Sequence, residues 1–160
     1  MTYFSAPGRE NLDKTLALTK KMAEELGIDS VVIASTTGFT AKTAVELFKG
    51  TGVKLTFVGT ARERFNSNLM VELKEKGCNV CFSNEVKYDY PDLVKTAYRR
   101  FCQGVKVAVE IAMIAAQEGY VTTDKDIISV GKWDTALIIK PAVGTRFEDL
   151  LVRELICKPR

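Results

Sequence analysis

The sequence predicts a three-layer α/β/α domain built on a mainly parallel sheet. Short apolar runs rich in β-branched residues alternate with stretches of helical periodicity over most of the 160 residues. This alternation is typical of βαβ units joined by right-handed crossovers. The apolar runs are continuous, as expected for strands that are covered on both faces. Because the chain contains no internal repeat or linker, residues 1–160 are interpreted as a single domain.

The first half of the chain begins with a helix and continues with strands and helices in turn. A helix is predicted from Asp13 to Leu26, because apolar residues recur at helical spacing and Gly27 ends the pattern. The predicted elements that follow are the strand Ser30–Ala34, a helix from Ala41 to Phe48, the strand Val53–Val58, the helix Asn66–Lys76 and the strand Asn79–Phe82.

The second half holds a long helix and three further strands. The polar range 83–100 carries no assignment. The predicted elements are the helix Gly104–Glu118 and the strands Asp126–Val130, Thr135–Lys140 and Leu150–Cys157. Gly131–Asp134 is too short for a helical crossover, so the strands on either side of it should be antiparallel neighbours. The strand Leu150–Cys157 is expected at an edge, with Pro159 beyond it.

Composition excludes several classes of function. Lys plus Arg is 23 and Asp plus Glu is 20, a net charge of +3 with no long basic run, so no nucleic-acid partner is expected. The absence of histidine excludes Ser-His-Asp and Cys-His catalysis and His-ligated metals. The most apolar stretch, Val105–Ala116, is too short to cross a bilayer and the first residues lack an apolar signal core. We therefore expect a cytoplasmic protein without a membrane partner.

The four cysteines do not form a recognisable site pattern. Cys78 and Cys81 are close in sequence, but Cys102 and Cys157 are scattered, whereas a zinc ribbon needs two close pairs. The segment Cys78–Cys81 also overlaps the predicted strand Asn79–Phe82, while a redox CxxC begins a helix. Reduced, buried or half-buried thiols are favoured over redox or metal chemistry, and no metal is expected.

A ligand site is predicted at the carboxyl ends of the strands, where the strand order reverses beside the first strand. The loop after that strand carries hydroxyls and one glycine, and it leads into a helix whose free N–H groups favour an anion. Its residues are Ser35, Thr36, Thr37, Gly38 and Thr40. A Ser or Thr here could also simply cap the helix. Four hydroxyls exceed what one cap requires, so anion binding is the favoured interpretation.

The loop after the fourth strand should border the same crevice. It contains Gly131, the cation Lys132, the single indole Trp133, the acceptor Asp134 and Thr135. Trp133 could stack on a flat ring, or it could plug the end of the sheet while the lysine stays in solvent. The dinucleotide pattern GxGxxG and the phosphate-loop pattern GxxxxGK[ST] do not occur, so neither standard nucleotide site is supported.

The long helix carries two charged residues within an apolar run. Lys106 and Glu110 lie one turn apart on its polar stripe. A structural ion pair is the favoured interpretation, because buried charges require partners whatever their role. Acid or base catalysis by Lys106 or Glu110 is the alternative.

The loop Ala34–Ala41 resembles the Thr/Ser-rich segment that opens a helix in the carboxy-terminal α/β domain of pyruvate kinase, where it holds phosphates of a sugar bisphosphate effector. The whole chain is similar to a small stand-alone family of that fold. This similarity is carried by Glu10–Leu16, Gln103–Ile111, Asp134–Ala142 and the ending Lys158–Arg160.

The resemblance implies a sheet of order 3-2-1-4-5 with the fifth strand antiparallel and an added carboxy-terminal edge strand. It also implies a ligand of the flavin mononucleotide (FMN) type in the crevice, with its phosphate at the first loop. Kinase activity is not implied, because in pyruvate kinase the phosphoryl-transfer residues belong to a barrel domain that this chain is too short to contain.

Three hypotheses of function follow from the sequence. The first is a protein that binds a small phosphorylated ligand, with FMN as the expected cofactor, between the two loops. The second is an enzyme that acts on a sugar phosphate or related metabolite, with acid or base groups drawn from Lys106, Glu110, Lys132 and Asp134. The third is a regulatory or assembly module that forms a homo-oligomer through the strand Leu150–Cys157.

Overall fold

The computed structural model describes residues 1–88 and 91–160. The strands in this part of the chain are β1 (Thr2–Phe4), β2 (Ser30–Ala34), β3 (Lys54–Gly59), β4 (Asn79–Phe82), β5 (Ile127–Gly131), β6 (Thr135–Lys140) and β7 (Leu151–Pro159). The helices are α1 (Leu12–Leu26), α2 (Phe39–Leu47), α3 (Ser67–Glu75), α4 (Asp92–Phe101) and α5 (Gln103–Gln117). The protein is therefore an α/β protein whose helices flank one sheet.

The seven strands form a mixed, mostly parallel sheet in the order β1-β7-β6-β5-β2-β3-β4. Parallel pairs join β2 to β3, β3 to β4, β2 to β5 and β1 to β7. The pairs β5–β6 and β6–β7 are antiparallel. The predicted order 3-2-1-4-5 corresponds to β4-β3-β2-β5-β6 and is confirmed, as is the antiparallel hairpin. The sheet therefore reverses its order between β2 and β5, where a crevice was expected.

Alternating side chains along the strands divide the core into two halves. Ile33 of β2 and Phe57 of β3 pack with α1, α2 and α3 on one face of the sheet. Val32 of β2 and Val58 of β3 pack with α5 on the other face. Because α5 runs from the carboxyl end of the sheet to its amino end before β5 begins, its first turns lie at the same end as the loop after β2.

Two elements were not predicted. The first is β1, which pairs with Cys157–Pro159 and takes the place at the edge of the sheet that was expected for the last strand. The edge prediction for Leu150–Cys157 is therefore wrong in that β7 is the second strand of the sheet, although Cys157 is the one residue of that range that pairs with β1. The second is α4, which lies in the unassigned range 83–100 except for its last residue, Phe101, and packs on α5 through Val94 and Tyr98. Residues 89 and 90 of that range lie outside the described part of the chain.

The cysteines are free thiols in the structure, as predicted. Cys81 and Cys157 are buried, and Cys78 and Cys102 are half-buried. Burial of Cys81 against α5 raises the pKa of its thiol to about 12, and the negative charges of Glu118 and Glu85 act in the same direction. A buried thiol with a raised pKa behaves as a small apolar side chain at neutral pH.

The raised pKa of Cys81 predicts a loss of stability in alkali. The unfolded thiol releases its proton near pH 9 and the native one only near pH 12, so the contribution is complete below pH 9 and falls as the pH rises. By pH 10.5, this site should lower the free energy of unfolding by about 1–2 kcal/mol. Urea unfolding of wild type and Cys81→Ala at pH 7 and pH 10.5 measures the effect. The variant should lose less stability across this range, and an equal loss in both proteins would contradict the assignment.

Candidate functional site

A cavity of about 670 Å³ lies at the carboxyl ends of β2 and β3. One wall is the loop after β2 together with the start of α2, and the opposite wall is α5. Thr37 of the first predicted loop and Lys132 of the second both line it. The two loops that were expected to border one crevice therefore meet, although nearly a hundred residues separate them in the chain.

The loop after β2 is shaped by one glycine and one serine. Gly38 has a φ of 96°, a left-handed conformation that glycine adopts without strain, and a Cβ there would lie 2.6 Å from Leu69 Cδ2. The backbone N–H of Ala41 donates to Ser35 Oγ at 3.2 Å. Ser35 therefore does cap α2, as the alternative interpretation of this loop proposed. The cap satisfies one amide and leaves the preceding ones for other acceptors.

Five consecutive backbone N–H groups at the start of α2 have no partner among the residues that the structure describes. Within residues 1–88 and 91–160, no protein acceptor pairs with the N–H groups of Thr36, Thr37, Gly38, Phe39 and Thr40. Thr40 is only 3% exposed, and its hydroxyl also lacks a hydrogen-bond partner in this part of the chain. A buried hydroxyl without a partner is unfavourable, so its position in the cavity wall points to an external acceptor.

The charges around the cavity favour an anion. Among the described residues, the cavity is lined by one carboxylate, Glu110, and by four cations, Arg9, Arg64, Lys106 and Lys132. Lys106 forms an ion pair with Glu110, so the other three cations set the local field. Positive side chains together with a helix amino-terminus make a site for a phosphate or another multiply charged oxyanion.

Aromatic rings lie beside these cations. Trp133 lines the cavity and is 36% exposed, and Lys132 Nζ lies 5.6 Å from the centre of its ring. Phe39 also lines the cavity, and the Arg9 guanidinium lies 3.4 Å from the centre of its ring. Trp133 thus does not plug the sheet end completely, and both rings offer apolar surface next to positive charge.

The remaining residues of the second predicted loop do not line the cavity. Asp134 is buried and accepts hydrogen bonds from the Gly8 backbone N–H and from the Thr135 hydroxyl, each at 3.1 Å. Thr135 is fully buried, with its hydroxyl 3.5 Å from Cys102 Sγ. Gly131 faces the backbone of α5. These residues contact other parts of the protein around the site, because the short β5–β6 hairpin directs them into the interior rather than toward the cavity.

Gly38 belongs to the rear of the same loop. It lines a separate depression with Asn66 and Leu69, on the side of the loop facing α3. Gly38 is therefore not part of the cavity wall, although its backbone N–H is among the five groups without a partner in the described residues.

The hydrogen bond between Gly8 and Asp134, here called the tether, explains the position of Arg9, a cavity residue that the sequence did not reveal. Gly8 is followed by Arg9, which the tether holds over Phe39 at the mouth of the cavity. Arg9 lies in a polar segment before α1 that shows no motif or periodicity. The position of Arg9 depends on a contact 126 residues away in sequence, so no local pattern could have predicted it.

Lys106 and Glu110 form the ion pair that the sequence favoured, and both line the cavity. Tyr88 donates a hydrogen bond from its hydroxyl to Glu110 Oε1 at 2.7 Å. Burial of the ring and this hydrogen bond both raise the pKa of Tyr88, so the hydroxyl stays protonated and keeps donating. Lys106 and Tyr88 therefore both fix the Glu110 carboxylate, which lies at the edge of the cavity.

Other kinds of site receive no support in the part of the chain that the structure describes. No three His, Cys, Asp or Glu side chains there are grouped so that they could hold a metal ion. None of the helices in residues 1–88 and 91–160 combines the length and apolar character needed to cross a membrane. The chain matches no protein-family model.

Proposed function

We propose that the protein binds a small phosphorylated molecule, with the phosphate at the amino-terminus of α2 and FMN as the first candidate. The observation that carries this proposal is that five consecutive backbone N–H groups and the buried hydroxyl of Thr40 have no partner in the described part of the chain. A phosphate has enough acceptor oxygens to pair with several of these donors at once. Inorganic phosphate alone should therefore bind, although weakly.

The rest of the cavity supports a ligand with a flat organic body. Its volume of about 670 Å³ is within the range of roughly 300–1,000 Å³ that is usual for small-molecule sites. Trp133 and Phe39 offer ring surface, and Val107, Ile111 and Ile114 of α5 add apolar wall. These features suit an aromatic phosphomonoester better than a small sugar phosphate. The strand order agrees with the proposed relationship to the carboxy-terminal domain of pyruvate kinase, and kinase activity is not part of the proposal.

Thr40→Val tests the phosphate site, because it replaces the buried hydroxyl by a methyl group of similar size. A hydrogen bond to a charged group contributes about 1.5 kcal/mol, so affinity for inorganic phosphate and for FMN should fall roughly tenfold. The melting temperature without ligand should stay equal or rise, since an unsatisfied hydroxyl is removed from the interior. Isothermal titration calorimetry and thermal unfolding provide the two measurements.

The matched control for this test is Thr43→Val. Thr43 lies three residues later in α2, outside the cavity lining, with its hydroxyl near the Phe39 carbonyl. This variant should keep the wild-type affinity. Equal affinities of Thr40→Val and wild type, or a wild-type protein that binds neither phosphate nor FMN, would refute the proposal.

A second candidate function is catalysis on a phosphorylated metabolite. It is favoured by the position of the Lys106–Glu110 pair, which lines the same cavity as the proposed phosphate site. A carboxylate and an ammonium group at one edge of a ligand can exchange a proton with it. Turnover of one member of a panel of sugar phosphates that is lost in Glu110→Gln would favour this function, and no turnover of any member would exclude it for that panel.

A further inference from the structure

The cavity contains a second polar group besides the proposed phosphate site. The side chains of Lys106 and Glu110 are 12% and 16% exposed, so both charges are largely withdrawn from water. They lie on the first turns of α5, on the wall opposite the α2 amino-terminus. A charge in such a position is tolerated only when its hydrogen-bonding capacity is used.

Glu110 and Lys106 differ in how much of their hydrogen-bonding capacity is used by the protein. Glu110 accepts from Tyr88 through Oε1 and from Lys106 through Oε2, so each carboxylate oxygen has a donor. The Lys106 ammonium can donate three hydrogen bonds, and Glu110 is its sole acceptor among residues 1–88 and 91–160. Two of its donors are therefore left for whatever occupies the cavity. Tyr88 and Glu110 fix the ammonium in place, which lowers the entropic cost of using these donors.

We infer that the ligand is recognised at two ends, and that Lys106 donates to a carbonyl oxygen or ring nitrogen on the end that lacks the phosphate. This inference rests on the proposed function and adds the chemistry of the second end. Besides Gln103, Lys106 and Glu110, the helix α5 lines the cavity with apolar side chains, which are Val107, Ile111 and Ile114. An electron-rich heteroatom on an otherwise flat, apolar body fits this surface, and a bare phosphate leaves the Lys106 donors unused.

Lys106→Met tests the inference because it removes the ammonium and keeps an unbranched apolar stem. Two probes are titrated by calorimetry: FMN, which has ring carbonyl and nitrogen acceptors, and inorganic phosphate, which has none beyond its own oxygens. The affinity for FMN should fall roughly tenfold to a hundredfold, as expected for the loss of a charged donor in a partly buried site. The affinity for inorganic phosphate should fall much less than the affinity for FMN, because the α2 amino-terminus is intact and only the charge of the cavity changes.

The control is Lys21→Met, which removes the lysine of an exposed i,i+4 pair with Glu25 on α1. It should leave both affinities unchanged. Lys106→Met leaves Glu110 without its cation, so the double variant Lys106→Met/Glu110→Gln is measured as well. In that variant Tyr88 can still donate to the amide oxygen and no unpaired charge remains. The ratio of the FMN affinity to the phosphate affinity is the readout in both variants.

The two proposals fail in different ways. If wild type binds both probes and Lys106→Met keeps the wild-type ratio, Lys106 does not recognise the second end. If Lys106→Met weakens both probes equally, Lys106 belongs to the phosphate site, which also overturns the inference. If wild type binds neither probe, the proposed function itself fails and the inference fails with it.

Discussion

Gly131→Ala should destabilise the protein by about 3 kcal/mol or more, a large part of the stability of a typical domain. A Cβ at Gly131 would lie 2.0 Å from the carbonyl oxygen of Gly104 and 2.7 Å from the backbone N of Ala108. Both are backbone atoms of α5, so no side chain can rotate to make room. The whole helix must move away from β5, which opens the core on that face of the sheet.

The measurement is urea unfolding of Gly131→Ala beside Gly27→Ala. Gly27 has a φ of 65° and no atom within 4 Å of its Cβ position, so alanine there meets backbone strain without a clash. We expect a loss of about 1 kcal/mol for that control. If Gly131→Ala costs no more than Gly27→Ala, the close packing of α5 on β5 is not as described. The prediction bears on function because the same helix carries Lys106 and Glu110 into the cavity.

The double variant Arg9→Glu/Lys132→Glu should lower the affinity for inorganic phosphate on the order of 100-fold. Each substitution replaces an attraction by a repulsion, which costs about 1.5 kcal/mol of binding free energy per substitution. Arg9 and Lys132 come from opposite ends of the chain and line one cavity. Neither forms an ion pair with a carboxylate among the described residues, so the full charge of each acts on a bound anion. The loss should shrink at high ionic strength, because salt screens these charges.

Arg99→Glu/Arg100→Glu is the matched control. It changes the net charge by the same amount, but its positions are exposed on α4 and do not line the cavity. Its phosphate affinity should stay within about threefold of wild type, because only the long-range field of the whole protein changes. Equal losses in the two double variants would mean that phosphate responds to net charge alone and has no defined site.

The fold was predictable from the sequence because its signals are local. Gly27, Gly77 and Gly119 follow the predicted helices, and all three adopt positive φ just after the observed ones. Elements without such signals were missed. The strand β1 has three residues, too few for any periodicity. The helix α4 begins after Pro91 and is mostly polar. It packs on α5 only through residues spaced by about one turn, and these few positions do not stand out in the sequence.

The candidate site was predictable in part. The hydroxyl-rich loop after β2, Lys132 and Trp133 were placed correctly in one crevice, because parallel strands expose their carboxyl ends together. Asp134 and Thr135 were expected to face a ligand, and they are buried in protein contacts instead. A residue type does not reveal which way a tight turn directs it. Arg9 and Arg64 depend on tertiary packing alone, so no sequence pattern marks them.

The most direct test of the phosphate site is a titration of ¹⁵N-labelled protein with inorganic phosphate, followed through the backbone amide resonances. We expect saturable shifts of the amides from Thr36 to Thr40, larger than those elsewhere in the chain, because these N–H groups have no acceptor among the described residues. Resonances of Thr36 to Thr40 that stay in place up to saturating phosphate, or shifts confined to other segments, would contradict it.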